Sequence, residues 1–185
     1  YSSNSEFILV DLIKLVYNSS DFKIYKNKNN FQIVDSLCNQ GLKFAKDSQC
    51  IQYMNGAKSQ IRVKTLTIEQ EKIIPSKEYS KIKLSFSNLN TLYFKLYKVP
   101  FTGLKDLQLA FSEIKKSQLT QFNLLKTWKE EWKNIDDFKQ HSIELKIDPL
   151  DLGRYYIVAS NNVDIDLSEV KSAGFFLVSN IATFQ

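Results

Sequence analysis

The hydrophobic period of the chain changes near residue 62, from helical spacing before it to strict alternation after it. Apolar side chains at 3.6-residue spacing share one face of a helix, whereas alternation puts successive side chains on opposite faces of a sheet. The switch predicts a helical segment over residues 1–61 and a mainly β domain over 62–185. In the first part, residues 6–17 read as a strongly apolar helix, and Phe31, Val34, Leu37 and Leu42 mark a second over 31–44. Asp47 reads as an N-cap, because its short carboxylate can accept from the free amides of a first helical turn. The helix it opens carries Ile51, Met54, Ala57 or Lys58, and Ile61 on one side.

Beyond residue 62, Ile82, Leu84 and Phe86 alternate with Lys81, Lys83, Ser85 and Ser87, giving one dry and one wet face. Leu92, Phe94 and Leu96 continue the pattern after the Asn88-Leu89-Asn90 turn, and Ile143, Leu145 and Ile147 repeat it later. Strands are expected at 64–74, 81–88, 91–99, 120–128, 139–147, 154–160 and 174–184. Seven strands of this kind predict an antiparallel β-sandwich. One interruption, near 103–117, places Leu104, Leu107, Phe111 and Ile114 on one face of an amphipathic helix with Gly103 near its start. It reads as a cover over the sandwich edge or as a partner-binding helix.

Charge does not point to nucleic acid. Residues 1–62 hold eight Lys/Arg against five Asp/Glu, and the remainder holds seventeen against fifteen. A phosphate-binding surface needs a clustered stripe with arginine forks, and Arg62 and Arg154 are the two arginines in the sequence. The run from Phe7 to Tyr17 is interrupted by Asp11 and Lys14, so it predicts a buried helix and no membrane span. The chain starts at Tyr1 and not at Met, and reads as a piece of a longer polypeptide.

No set of residues assembles a catalytic site or a cofactor site. His141 is the single histidine, at the start of a predicted strand, and it cannot build a histidine-based zinc site with two cysteines. Neither Cys38 nor Cys50 has the basic neighbour in a loop that an activated thiolate needs. They could form a disulfide if their helices are antiparallel neighbours, or sit as free thiols on apolar faces. Glu130-Glu131 and Asp136-Asp137 are adjacent acids that point to different sides, as solvated charges do.

Two clusters have a structural meaning. In the stretch from Pro149 to Val158, Gly153 sits where a turn leads into a strand, and it permits a positive φ. Tyr155 and Tyr156 follow it, each joining a large apolar body to a hydroxyl that can tie down backbone. Trp128 and Trp132 form the second cluster, as core or inter-module packing or as a platform for stacking a ligand.

These residues, in this order, resemble the long alpha-2-macroglobulin proteins of Bacteroidetes-type bacteria. The resemblance is carried by the Cys50–Ile61 helix running through Leu66-Thr67-Ile68 to Pro75, and by the aromatic strand pair Leu84–Val99. It continues through Trp128, Asp137-Phe138, His141-Ser142-Ile143-Glu144, Leu152-Gly153-Arg154-Tyr155-Tyr156 and Val178-Ser179-Asn180-Ile181, so that it spans roughly residues 45–185. It implies a macroglobulin domain, a seven-stranded sandwich resembling fibronectin type III in shape, docked on neighbouring domains of the same polypeptide. It further implies a periplasmic or cell-envelope protein whose full-length form traps host or competitor proteases. The family's thioester phrase, Cys-x-Glu-Gln, is missing: Glu69-Gln70 is preceded by Thr67 and Ile68. No bait segment is recognisable, so this part would supply scaffold and not chemistry. An adhesin or glycan-binding sandwich, with Trp128 and Trp132 as the platform, is the alternative.

Overall fold

The computed structural model of the chain describes residues 4–19, 29–100, 119–133 and 135–180. The amphipathic stretch around Leu104–Ile114 lies outside the described residues. The chain divides into two compact units, Tyr1–Val63 with Ile135–Lys139, and Lys64–Asn134 with Gln140–Gln185.

The first unit is built on α1 (Ser5–Asn18), α2 (Asn30–Gly41) and α3 (Ser48–Ile61). The starts of α2 and α3 have a chemical reason. The Asn29 side chain accepts from the Gln32 amide while the Gln32 side chain accepts from the Asn29 amide, a reciprocal capping box that opens α2. Asp47 caps α3 as its sequence position suggests, its carboxylate accepting from the amides of Gln49 and Cys50, each at 2.9 Å. The Glu6 carboxylate, in the first turn of α1, accepts from the amides of Lys46 and Asp47 and so ties α1 to the loop before α3. Val10, Ile13 and Val16 of α1 meet Ile33, Val34 and Cys38 of α2 and Cys50, Met54, Ala57 and Ile61 of α3 in one buried cluster. α2 ends at Gly41, short of the expected 44. A Cβ at Gly41 would run into Met54 and Leu9, so the small residue lets the helices approach closely there.

The second unit packs a three-stranded sheet, β1-β3-β6, on a five-stranded sheet, β2-β8-β7-β4-β5. The strands are β1 (Thr65–Gln70), β2 (Ile73–Pro75), β3 (Ser80–Ser87), β4 (Thr91–Val99), β5 (Asn123–Glu131), β6 (Gln140–Ile147), β7 (Gly153–Ser160) and β8 (Lys171–Ser179). Ile82, Leu84 and Phe86 from one sheet and Leu92, Phe94, Ile157 and Phe176 from the other are fully buried. The alternation in β3, β4 and β6 therefore has the meaning it carried in the sequence.

Two expectations are corrected. The single strand expected over 64–74 is two strands in different sheets, so the described residues hold eight strands and not seven. β2 moreover runs parallel to β8, with Ile73 opposite Leu177 and Ile74 opposite Val178, so the sandwich is not antiparallel throughout. The cause lies at the crossing. β1 ends at Gln70, and the Lys72 carbonyl accepts from the Leu177 amide as the chain joins the edge of β8. Pro75, which has no amide hydrogen to give, is tolerated in such a short edge strand.

The other surprise is β7, which is buried on both faces. Its inner face belongs to the core between the sheets. Over its outer face lies a second apolar cluster, in which Leu119 and Ile165 cover Tyr97, Val99, Tyr156 and Val158. Leu119 and Phe122 precede β5 as a turn, which is why that strand starts at Asn123 and not at 120.

Candidate functional site

The turn before β7 forms an aromatic corner. The Tyr155 hydroxyl donates to the Asp151 carbonyl at 2.8 Å, and the Tyr155 ring stacks on Phe176 with centroids 5.6 Å apart. Burial, and then the neighbouring Asp151, push the Tyr155 hydroxyl pKa up. Gly153 adopts φ +156°, and a Cβ there would lie 2.9 Å from Lys98 Cε. The Lys98 ammonium sits 5.9 Å from the Tyr155 ring centroid. The next residue, Tyr156, faces the outer cluster, where burial pushes its pKa up to about 12. Two adjacent tyrosines therefore serve two different cores.

Trp128 and Trp132 do not form one cluster. Trp128, on β5, stacks on Phe94 at 4.9 Å, with planes 12° apart and the Lys126 ammonium 5.6 Å from the indole centroid. Trp132, past the end of β5, lies 4.7 Å from the Phe86 ring of the other sheet, and its amide donates to the Asn90 carbonyl. His141 also reaches Phe86, at 5.8 Å. Each indole thus has a core phenylalanine against it, the geometry of packing groups.

β5 is the last strand of its sheet among the described residues, and seven of its nine residues are exposed. Between Leu96 and Tyr97 of β4 the register shifts, so that Leu96 faces Lys126 while Tyr97 faces Leu124. The extra residue is Leu125. Leu124 and Leu125 are 49% and 44% exposed at this bulge. A groove of about 360 Å³ opens beside Leu125, with Leu96, Trp128, Ile147 and Leu150 also in its lining. The Lys126–Asp148 ion pair crosses it at 2.6 Å and holds the Asp148 pKa below the ordinary carboxylate value. Tyr79 is exposed too, with the Lys146 ammonium 3.4 Å from its ring centroid. A bulge and flanking charges are the usual means by which an edge strand avoids uncontrolled pairing.

In the helical unit Cys38 and Cys50 are both buried and both free thiols. Burial first, then Asp35, raises the Cys38 pKa from 9.0 to about 11. Among the described residues no group of three or more His, Cys, Asp or Glu side chains could hold a metal ion. No helix among them is long and apolar enough to cross a membrane.

The sequence left two contributors unnoticed. Gly174 of β8 has no Cβ, and the Gln70 side chain occupies that space while its Nε2 donates to the Phe175 carbonyl at 3.2 Å. An isolated glycine inside an apolar strand is the signal for such a close approach. The bulge at Leu125 has its own signal, two adjacent leucines that break the alternation in β5.

No protein-family model and no curated protein matches the sequence. Among solved structures the chain is similar to native alpha-2-macroglobulin from Escherichia coli spanning domains MG0-NIE-MG1. The identity is 15% and the TM-score 0.47, with 64% of this chain and 40% of that chain covered. It is also similar to the CARDB domain of the PF1109 protein from Pyrococcus furiosus, at 14% identity and TM-score 0.34, over 63% of this chain and 91% of that one. A superoxide reductase (neelaredoxin) from Ignicoccus hospitalis matches at 12% identity and TM-score 0.35, over 67% and 87% of the two chains.

Proposed function

We propose that this chain is a structural and docking module of a larger alpha-2-macroglobulin-like envelope protein of the Bacteroidetes type, whose full-length form traps proteases. The reading is supported by the motif order over residues 45–185 and by a two-sheet sandwich whose aromatic residues serve packing. The observation that carries the docking role is the edge at β5, where Leu124 and Leu125 are both exposed and Leu125 lines the Trp128 groove. Contacts between domains of one chain typically bury roughly 600–1,500 Å² and are partly apolar, and this edge offers an apolar centre with a charged rim. In this reading the neighbour is another domain of the same polypeptide, and the module supplies scaffold without chemistry of its own.

The test compares this chain with the complete polypeptide of its gene, each incubated with several unrelated proteases. Residual activity is followed on a protein-sized substrate and on a small peptide. The complete polypeptide is expected to block cleavage of the large substrate and to spare the small one, while this chain alone blocks neither. Stoichiometric inhibition or a covalent adduct formed by this chain alone would overturn the scaffold role. A complete polypeptide that blocks nothing would overturn the trap.

A further inference from the structure

Ile135–Lys139 is part of the helical unit, although in sequence it joins strands β5 and β6. Gln32 Nε2 donates to the Asp136 carbonyl at 3.1 Å, and Asn29 Nδ2 donates to the Asp137 carbonyl at 2.8 Å. Phe138 packs against the buried helical cluster, and the Arg62 guanidinium carbon lies 5.5 Å from its ring centroid. Arg62 is itself fixed by Asp35 of α2, at 2.7 Å. Asn29 and Gln32 therefore use both ends of their amides: the oxygens close the capping box of α2, and the nitrogens grip the incoming segment.

The backbone of the segment is shaped for this. Phe138 has φ 58°, a left-handed conformation that a bulky residue keeps only where its surroundings fix it. Asp137 Oδ1 accepts from the Lys139 amide and tightens the turn. Two carbonyls held by side-chain amides and one aromatic anchor are the elements of short-peptide recognition.

We infer that Asn29, Gln32 and Arg62 form a recognition site for a short Asp-Asp-Phe tongue, and that this tongue is a detachable clasp on which the order of the helical unit depends. The site reads backbone at 136 and 137 and a ring at 138. The aspartate side chain at 136 is therefore replaceable, and Phe138 is not. The clasp is independent of the docking role of β5.

Native-state hydrogen exchange on the full chain tests it. Phe138→Ala is expected to lower amide protection in α2 and α3 at least about tenfold, since it removes a partly buried ring packed on the helical core. Protection in β3, β4 and β7 is expected to stay as it was. Phe138→Leu, which keeps an apolar anchor, gives an intermediate loss, and Asp136→Ala gives none. A synthetic peptide spanning residues 135–140, added to the Phe138→Ala chain, restores helical protection, and the same peptide with alanine for the phenylalanine does not. Unchanged helices in Phe138→Ala, or strands that loosen as much as the helices, would overturn the clasp. Failure of the peptide to restore protection would overturn the recognition site.

Discussion

The Tyr155 hydroxyl reaches back four residues to the Asp151 carbonyl, 2.8 Å away, and so locks the turn that leads into β7. A tyrosine bonded to backbone a few residues upstream is a recurrent corner in Greek-key sandwiches. The bond is neutral and half-sheltered, so its net contribution is about 1 kcal/mol. Tyr155→Phe keeps the stack on Phe176 and removes the bond alone. It is expected to lower the unfolding free energy of the sandwich by that amount, seen as an earlier urea midpoint with an unchanged slope of the transition.

Gly153 stands at the entrance to the same strand at φ +156°. A Cβ there meets the end of the Lys98 side chain, which can swing away, so the cost lies in the backbone conformation and not in the clash. Gly153→Ala is expected to destabilise by about 1–3 kcal/mol. The double variant with Lys98→Ala should recover little of it. A full recovery would assign the cost to the contact.

How far the sequence was legible depended on the range of the interaction. The helices, the Asp47 cap and the alternation in β3, β4 and β6 are local, and their residues carry their own signal. The sheet change between β1 and β2 is decided by β8, about a hundred residues downstream, and nothing between Thr65 and Pro75 states it. Trp128 and Trp132 looked like one cluster from their spacing, yet each ring found a different phenylalanine, on β4 and β3. Likewise Asp136 and Asp137 looked like plain surface charges. Their importance lies in their carbonyls, to which sequence reading is blind.

The two aromatic contacts differ in depth, which sets an order of stabilities. Phe94 is fully buried, and its indole partner Trp128 is half-buried on an edge strand. Phe94→Ala is expected to cost about 3–5 kcal/mol. Trp128→Ala removes less buried area and is expected to cost roughly 1–2 kcal/mol. Chemical denaturation of both variants checks the order, and a larger loss at Trp128 would contradict the burial argument.

Buried neutral groups make the protein sensitive to alkali. The Cys38 pKa is raised from 9.0 to about 11 and the Tyr156 pKa from 10.0 to about 12. Each group keeps its proton longer when folded than when unfolded, so its contribution to stability is intact below the unfolded pKa. Stability should therefore fall as pH rises from about 9 to 11 through Cys38, and from about 10 to 12 through Tyr156. Cys38→Ser should weaken the lower part of that dependence and Tyr156→Phe the upper part. At pH 8 both thiols should resist a thiol reagent in the native protein, and two should react once it is denatured without reductant. A count of zero after denaturation would show a disulfide in place of two free thiols.

Leu124 and Leu125 test the docking edge from the opposite direction. Both are about half exposed, at the bulge of a strand with no further strand on its outer side among the described residues. Surface substitutions away from buried features usually change stability by less than about 0.5 kcal/mol. Leu124→Asp with Leu125→Asp should accordingly leave the melting of this chain nearly unchanged, and the added charge should improve its solubility. In the complete polypeptide the same pair should loosen the neighbouring domain, seen as faster limited proteolysis at the junctions. The two readouts separate the cases. If the isolated chain melts markedly earlier, the leucines serve its own core. If neither readout moves, the neighbour does not rest on this edge.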